Sequence, residues 1–252
     1  MSLSLQLQRH SVRSYSSEPL SAESINALKS AITDINTHEA GMHIQLITDD
    51  PAPFRGFTRS YGFFSGVRNY IAVVADTSFR HYRERAGFFG MQLSMRALEL
   101  GLGSCFVSGT YSTSNVSARV RVGQKLIYLI ALGHEDASRR QGLISRLMLS
   151  HMHRHHPAPE EFLISEMPAS TLYAELPQLQ EALTAVSLAP SAMNKRPARL
   201  HVEKCGGEYA ISATVSGSDP AQEIDLGIAM WAISDVWPGE WEWGNPARFL
   251  PL

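Results

Sequence analysis

Apolar residues recur along the chain with two spacings, one typical of amphipathic helices and the other of strands. Ile25, Leu28 and Ile32 repeat every three or four residues, and Ser21 stands before them as a suitable N-cap. Short unbroken apolar runs, such as 69–75, instead predict buried strands. The expected helices are 22–33, 87–100, 114–122, 178–189 and 224–233, and the expected extended segments are 42–47, 69–75, 104–109, 125–132, 199–203 and 209–215.

The order of these elements repeats after a polar, basic linker. A shift of 156 positions lays helix 22–33 on 178–189 and strand 43–47 on 199–203, while further along Gly90 falls on Gly227. Sequence identity between the halves is poor, so the repeat lies in the order of elements. The prediction is a duplicated α+β unit, with a first half at 1–138, a linker at 139–160 and a second half at 161–252.

Composition excludes several classes of protein. The chain has 252 residues, 44% of them hydrophobic, and a net charge of −2, which argues against a nucleic-acid binder held by a basic surface. Cys105 and Cys205 lie far apart without metal-ligand spacing, which favours a reduced, cytoplasmic setting. Residues 1–8 do not resemble a signal peptide, and no apolar run approaches the roughly 20 residues of a membrane span.

Two short polar stretches carry the most distinctive chemistry. Residues 9–13 read Arg-His-Ser-Val-Arg, which places two guanidinium groups, an imidazole and a hydroxyl close together. Guanidinium forks suit phosphate and carbonyl oxygens. Residues 190–194 read Pro-Ser-Ala-Met-Asn and form a polar turn after a predicted helix. On the overlay the first half keeps the arginines and the second keeps the turn, so a pseudo-twofold pairing of the halves would complete one site.

Each of these motifs also has a simpler interpretation. Arg9 and Arg13 can be surface charges, and Pro190 with Ser191 can be an ordinary helix-ending turn. Residues 101–103, Gly-Leu-Gly, are a helix C-cap and do not form a dinucleotide fingerprint. The four histidines within 151–156 do not match zinc spacing, which leaves an exposed linker or a phosphate contact as the alternatives to a metal site.

Taken in order, the motifs resemble the nitroreductase-like flavoprotein family, in its branch with two half-domains fused in one chain. Residues 9–13 look like the family's Arg-x-Ser-x-Arg/Lys motif, and 190–197 are similar to its Pro-Ser-x-x-Asn-x-Gln-Pro-Trp motif. Residues 101–106 resemble its Gly-Leu-Gly-x-x-Trp segment, and 224–229 resemble a helix start in the fused branch. The resemblance implies an α+β, nitroreductase-like fold with two duplicated halves, each with antiparallel or mixed sheets flanked by helices.

The resemblance also implies an FMN-dependent oxidoreductase. Hydride would pass from NAD(P)H to flavin N5 and then to a small nitroaromatic- or quinone-like acceptor, without a catalytic side chain. Arg9 and Ser11 would hold the phosphate or the ribityl chain, Arg13 would face the pyrimidine edge, and a backbone N–H near 107–109 would face N5. The implied cofactor-binding residues are Arg9, His10, Ser11, Arg13, Val107, Ser108, Gly109, Arg154, His155, Pro190, Ser191 and Asn194.

Three positions depart from the family pattern. Arg196 stands where the family has Gln, Ala198 where it has Trp, and Phe106 where it has the Trp after the glycine turn. These changes bear on the ring contacts more than on phosphate binding. They motivate two alternatives, a flavin-binding sensor or storage protein and a degenerate pseudo-dimer without cofactor. The expected partner is a small-molecule substrate, and the chain is expected to be a monomeric pseudo-dimer or a homodimer.

Overall fold

The computed structural model describes residues 3–55, 63–138, 157–217 and 219–252. These residues form two compact units. The first unit comprises the described residues within Arg9–Tyr82 and Gln92–Met152. The second comprises those within Met1–Gln8, Arg83–Met91 and His153–Leu252. Two segments from the N-terminal part of the sequence, 1–8 and 83–91, therefore group with the C-terminal part.

The elements follow the chain in an order that mixes helices and strands throughout. The helices are α1 Leu3–Gln8, α2 Ala22–His38, α3 Tyr82–Glu99, α4 Ala169–Glu175, α5 Leu179–Leu188 and α6 Pro220–Val236. The strands are β1 Gln45–Ile47, β2 Asn69–Asp76, β3 Gly103–Val107, β4 Gln124–Gly133, β5 Leu163–Ile164, β6 Arg199–Cys205, β7 Glu208–Thr214, β8 Gly239–Glu242 and β9 Ala247–Pro251. None of the described helices has both the length and the apolar character needed to cross a bilayer.

Each unit is built on one sheet, and the two sheets share a strand order. The first unit has the order β1-β2-β4-β3, with every neighbouring pair antiparallel. The second has β6-β7-β9-β8, again antiparallel, and β5 adds in parallel beside β6. The predicted α+β class with antiparallel and mixed sheets is confirmed.

Local sequence explains the main elements of the first unit. The Ser21 hydroxyl accepts the Ser24 N–H at 3.0 Å and starts α2, whose buried face includes Leu28, Ile32 and Ile35. The continuous apolar run of β2 is buried over seven of its eight positions, so both of its faces are covered. Gly101 has a φ of +72° and ends α3 in the left-handed conformation, as expected for a glycine C-cap.

In the second unit, α6 and the first turns of α3 cross at a pair of glycines. A Cβ added to Gly87 would lie 2.0 Å from the Ile224 carbonyl oxygen, and one added to Gly227 would lie 1.8 Å from the Glu84 carbonyl oxygen. The two contacts are equivalent, since each glycine meets the residue three positions before the other. The close approach of the two backbones explains why both positions are glycine, since a residue with a Cβ would not fit at this crossing.

One predicted element is wrong, and several short elements were not predicted, namely α1, α4, β5, β8 and β9. Residues 113–122 hold a single 3-10 turn, Thr113–Asn115, followed by an extended segment instead of a helix. Side chains of neighbouring strands supply its hydrogen bonds: the Gln45 amide donates to the Arg119 carbonyl and accepts the Arg119 N–H, both at 2.8 Å. Near the C-terminus, β8 and β9 form a hairpin that sequence spacing did not reveal.

Candidate functional site

The segment that carries the arginine motif is held in an extended conformation within the first unit. The Val12 N–H donates to the Ser104 carbonyl at 3.0 Å, beside the outer edge of β3. Ser65 donates its N–H to the Arg13 carbonyl, and Tyr15 donates its N–H to the Ser65 carbonyl, both at 2.9 Å. Backbone bonds on both sides of the segment fix the positions from which the motif side chains project.

The glycine turn before β3 allows this close approach. A Cβ added to Gly103 would lie 2.6 Å from a methyl carbon of Val12, a separation that real Cβ atoms do not show. The Gly-Leu-Gly sequence therefore does two things: Gly101 ends the helix, and Gly103 leaves room for the motif segment. The sequence pattern identified only the first.

Arg9, Ser11, Arg13 and Cys105 lie close enough to influence one another and form a cluster with positive charge. Arg13 donates from Nη1 to the Ser11 carbonyl at 3.2 Å, and Arg9 forms no hydrogen bond or ion pair within the described part of the chain. Arg9 is half-buried, and this burial lowers the pKa of its guanidinium group to about 10, with the positive charge of Arg13 adding to the shift. Within residues 3–55, 63–138, 157–217 and 219–252, no carboxylate forms an ion pair with Arg9 or Arg13.

The Cys105 thiol does not provide a compensating anion. Burial raises the pKa of Cys105. The charge of Arg13, a hydrogen bond from Ser11 and the charge of Arg9 oppose this shift. The thiol is therefore protonated and neutral at pH 7. The two guanidinium groups therefore have no counter-charge in the part of the chain that the structure describes, which is the arrangement expected of a site that binds an anion.

The other predicted site residues of the first unit lie outside this arginine cluster. The His10 side chain is 61% exposed, and its Nε2 lies 2.9 Å from a Glu135 carboxylate oxygen. The Val107 side chain is buried in the core at the end of β3. Ser108 and Gly109 follow it as exposed residues, and a Cβ on Gly109 would meet no atom within 4 Å. Arg154 and His155 lie outside the described residues.

In the second unit, the Pro-Ser-Asn motif forms a tight turn directly after α5. The Ser191 hydroxyl accepts the Arg196 N–H at 2.8 Å and closes the turn on itself. Met193, Asn194 and Arg196 all have positive φ, at 52°, 56° and 47°. Non-glycine residues in this region cost about 1–3 kcal/mol each, so the surrounding structure must hold the turn in place.

Asp225 of α6 is a buried partner of this turn that sequence reasoning did not identify as a site residue. Its carboxylate accepts the Ala192 N–H at 3.0 and 3.2 Å, and the side chain is nearly inaccessible to solvent. Burial raises the pKa of Asp225 to about 6, against the opposing effect of the Ala192 bond. The signal in the sequence was an acidic residue inside the apolar stretch 224–233 of this helix.

The raised pKa gives a testable prediction for stability. Because the folded protein releases the Asp225 proton less readily than the unfolded chain, the contribution of Asp225 to stability falls as the pH rises from about 4 to about 6 and is then level. A shift from 3.8 to about 6 corresponds to about 3 kcal/mol, an upper limit on what Asp225→Asn should gain at pH 7. Urea unfolding at pH 4 to 8 measures this gain, which should vanish near pH 4.

Glu223→Gln is the matched control for this experiment. Glu223 lies on the same helix and pairs with Arg83 at 3.0 Å, without a bond to the turn. It should be neutral or slightly destabilising and should not gain stability as the pH rises. A constant difference between Asp225→Asn and the wild type across the whole pH range would contradict the assignment.

Comparison with known proteins places this architecture in one family. The model of a family described as "Putative TM nitroreductase" matches residues 5–234, which supports a general oxidoreductase role. No curated protein matches the sequence significantly. The solved structure of a "putative nitroreductase" from Thermotoga maritima aligns with 99% of this chain and 93% of its own, at 19% identity and a TM-score of 0.58.

Two further solved structures align with a smaller share of the chain. A nitroreductase family protein of Clostridium difficile 630 is 16% identical over 67% of this chain and 99% of its own, with a TM-score of 0.46. An FMN-dependent nitroreductase of C. difficile R20291 is 17% identical over 57% of this chain and 94% of its own, with a TM-score of 0.44. The family model matches nearly the whole chain, and the chain shares its fold with the T. maritima protein. The chain therefore belongs to the nitroreductase family described as "Putative TM nitroreductase".

Proposed function

We propose that this protein is an FMN-dependent oxidoreductase that takes hydride from NAD(P)H and passes it to a small nitroaromatic- or quinone-like acceptor. The observation that carries the proposal is the desolvated, unpaired charge of Arg9 beside Arg13 within the described first unit. Family membership supports the reaction class, and the resemblance of residues 9–13 to the family's phosphate-binding motif supports the cofactor.

The arginine cluster fits the phosphate of FMN. A phosphate dianion would replace the solvation that Arg9 has lost and would neutralise the repulsion between Arg9 and Arg13. Guanidinium groups bind phosphate oxygens through charge-assisted, paired hydrogen bonds. The Ser11 hydroxyl, which stands between them in sequence, supplies a neutral donor for the phosphate or the ribityl chain.

The remaining contacts are assigned by resemblance. Arg13 would stabilise negative charge at the pyrimidine edge of the ring, and the exposed backbone after Val107 would present an N–H. Pro190, Ser191 and Asn194 would contact the ring and the ribityl chain. When bound, FMN supplies the hydride-accepting and hydride-donating chemistry. The protein's own task is then to orient the reactants and to exclude water, since hydride transfer depends on alignment.

An absorbance spectrum of the freshly purified protein tests the proposal directly. The protein should be yellow, and NADH or NADPH added without oxygen should bleach the flavin band. Colourless protein that takes up no added FMN would rule the proposal out.

A flavin-binding sensor or storage protein is the second candidate. It is favoured by the three departures from the family pattern, Arg196, Ala198 and Phe106. Ala198 is buried, and Phe106 packs against the Tyr128 ring with 5.3 Å between centroids, so neither position offers a tryptophan surface. Tightly bound flavin that neither nucleotide reduces would identify this function in place of the oxidoreductase.

A further inference from the structure

Asp225 has a buried carboxyl group that plays no part in the proposed hydride transfer. Its carboxyl group is buried in α6, a helix whose residues 225–233 are otherwise apolar or glycine. A buried carboxylate is costly unless its hydrogen bonds repay the loss of water. The hydrogen bond that the structure gives to Asp225 comes from the Ala192 backbone, at the front of the Pro-Ser-Asn turn.

The turn needs an external anchor. Three left-handed, non-glycine residues within four positions store strain, and the bond from the Arg196 N–H to the Ser191 hydroxyl lies inside the turn itself. At the back of the turn, Arg199 donates to the Arg196 carbonyl at 2.8 Å. At the front, Asp225 holds Ala192, which directly follows Ser191 and lies two positions before Asn194.

The glycine crossing identifies the residue of α3 that corresponds to Asp225, and that residue is not an acid. Because Gly87 and Gly227 make equivalent contacts, Arg85 is the residue of α3 that corresponds to Asp225 of α6. The Arg85 guanidinium lies 4.5 Å from the centroid of the Trp243 ring, so it has a different role. The carboxyl group is present on the helix that serves the Pro-Ser-Asn turn and is replaced by a cation on the other.

We infer that Asp225 is a positioning residue that holds the 190–196 turn in its flavin-binding conformation through the Ala192 N–H. The inference rests on the proposed function, in which Pro190, Ser191 and Asn194 contact the cofactor. Asp225 acts through the backbone and does not touch the flavin. Its ionised form accepts the N–H bond more strongly than its neutral form, so the strength of the anchor depends on pH.

Flavin titrations of three variants test the inference. Asp225→Ala should lower FMN affinity about tenfold or more, since a hydrogen bond to a charged group is lost. Asp225→Asn keeps an acceptor for Ala192 and should lie between Asp225→Ala and the wild type. Glu223→Gln, on the same helix, should bind FMN as the wild type does.

The pH profile separates positioning from a general effect on folding. FMN affinity of both proteins should rise between pH 5 and 7, because the phosphate gains its second charge there. The rise should be larger in the wild type, where Asp225 ionises over the same range, than in Asp225→Asn. The charges that act on Asp225 are Asp219, which disfavours ionisation, and Lys195, which favours it. Equal affinities of Asp225→Ala and wild type, or the same pH profile in wild type and Asp225→Asn, would overturn the inference.

Amide exchange in FMN-free protein keeps the inference separate from the proposed function. Exchange at 190–196 should be faster in Asp225→Ala than in wild type, with no change in Glu223→Gln. If wild type takes up no FMN, the proposed function fails and this measurement still decides whether Asp225 anchors the turn. Unchanged exchange across the turn would refute the anchor itself.

Discussion

Arg9→Met should lower the affinity for FMN by about 10- to 150-fold, the equivalent of one lost charge-assisted hydrogen bond. Methionine keeps the apolar stem of the side chain and removes only the guanidinium group. The FMN-free variant should be at least as stable as the wild type, because the desolvated cation that it removes has no carboxylate partner among the described residues. Flavin fluorescence titration and urea unfolding measure the two effects.

Two further variants are needed for this experiment: Arg9→Lys separates charge from shape, and Arg96→Ala is the control. Lysine keeps the charge and loses the planar fork, so its affinity should fall between those of wild type and Arg9→Met. Arg96 lies in the same unit and pairs with Glu99 at 2.7 Å on the surface, and its replacement should leave FMN affinity unchanged. If Arg9→Met binds FMN as tightly as wild type, Arg9 does not contact the phosphate.

Gly227→Ala should destabilise the protein by at least about 3 kcal/mol, beyond the usual cost of overpacking. Alanine normally stabilises a helix interior by up to about 1 kcal/mol relative to glycine. Here the added Cβ would lie 1.8 Å from the Glu84 carbonyl oxygen, and a backbone carbonyl cannot move aside without shifting its helix. The midpoint and slope of urea unfolding measure the loss, which is a large fraction of a typical stability.

Gly87→Ala and Gly109→Ala provide the comparison. Gly87 makes the equivalent contact, so its alanine variant should lose a similar amount, and the double variant should lose less than the sum because one separation of the helices relieves both clashes. Gly109 has no atom within 4 Å of an added Cβ and should change stability by less than about 0.5 kcal/mol. Additive or small losses at Gly87 and Gly227 would mean that the helices do not cross at these residues.

The sequence suggested the candidate site residues but not how their segments are held. Arg9, Ser11 and Arg13 were proposed because residues 9–13 resemble a family motif and because guanidinium groups suit phosphate oxygens. Asp225 was missed as a site residue because its role depends on a single backbone N–H more than 30 residues away in the chain. The extended segment after Asn115 was predicted as a helix, since its Gln45 partner lies about 70 residues earlier.

Local patterning determined the main elements of this protein and the chemical groups of its motifs. The helical stripe behind Ser21, the apolar run of β2 and the cap at Gly101 follow from side-chain spacing and backbone preference, which act over a few residues. The motif residues are also a property of the sequence alone.

Tertiary structure decided which contacts those residues make and how far they are buried. It pairs Gly87 with Gly227, leaves the Arg9 charge without a partner in the described first unit, and brings Asp225 to Ala192 in the second. The physical reason is that desolvation, close backbone approach and the matching of buried polar groups depend on atoms distant in sequence, and no local pattern encodes which atoms those will be.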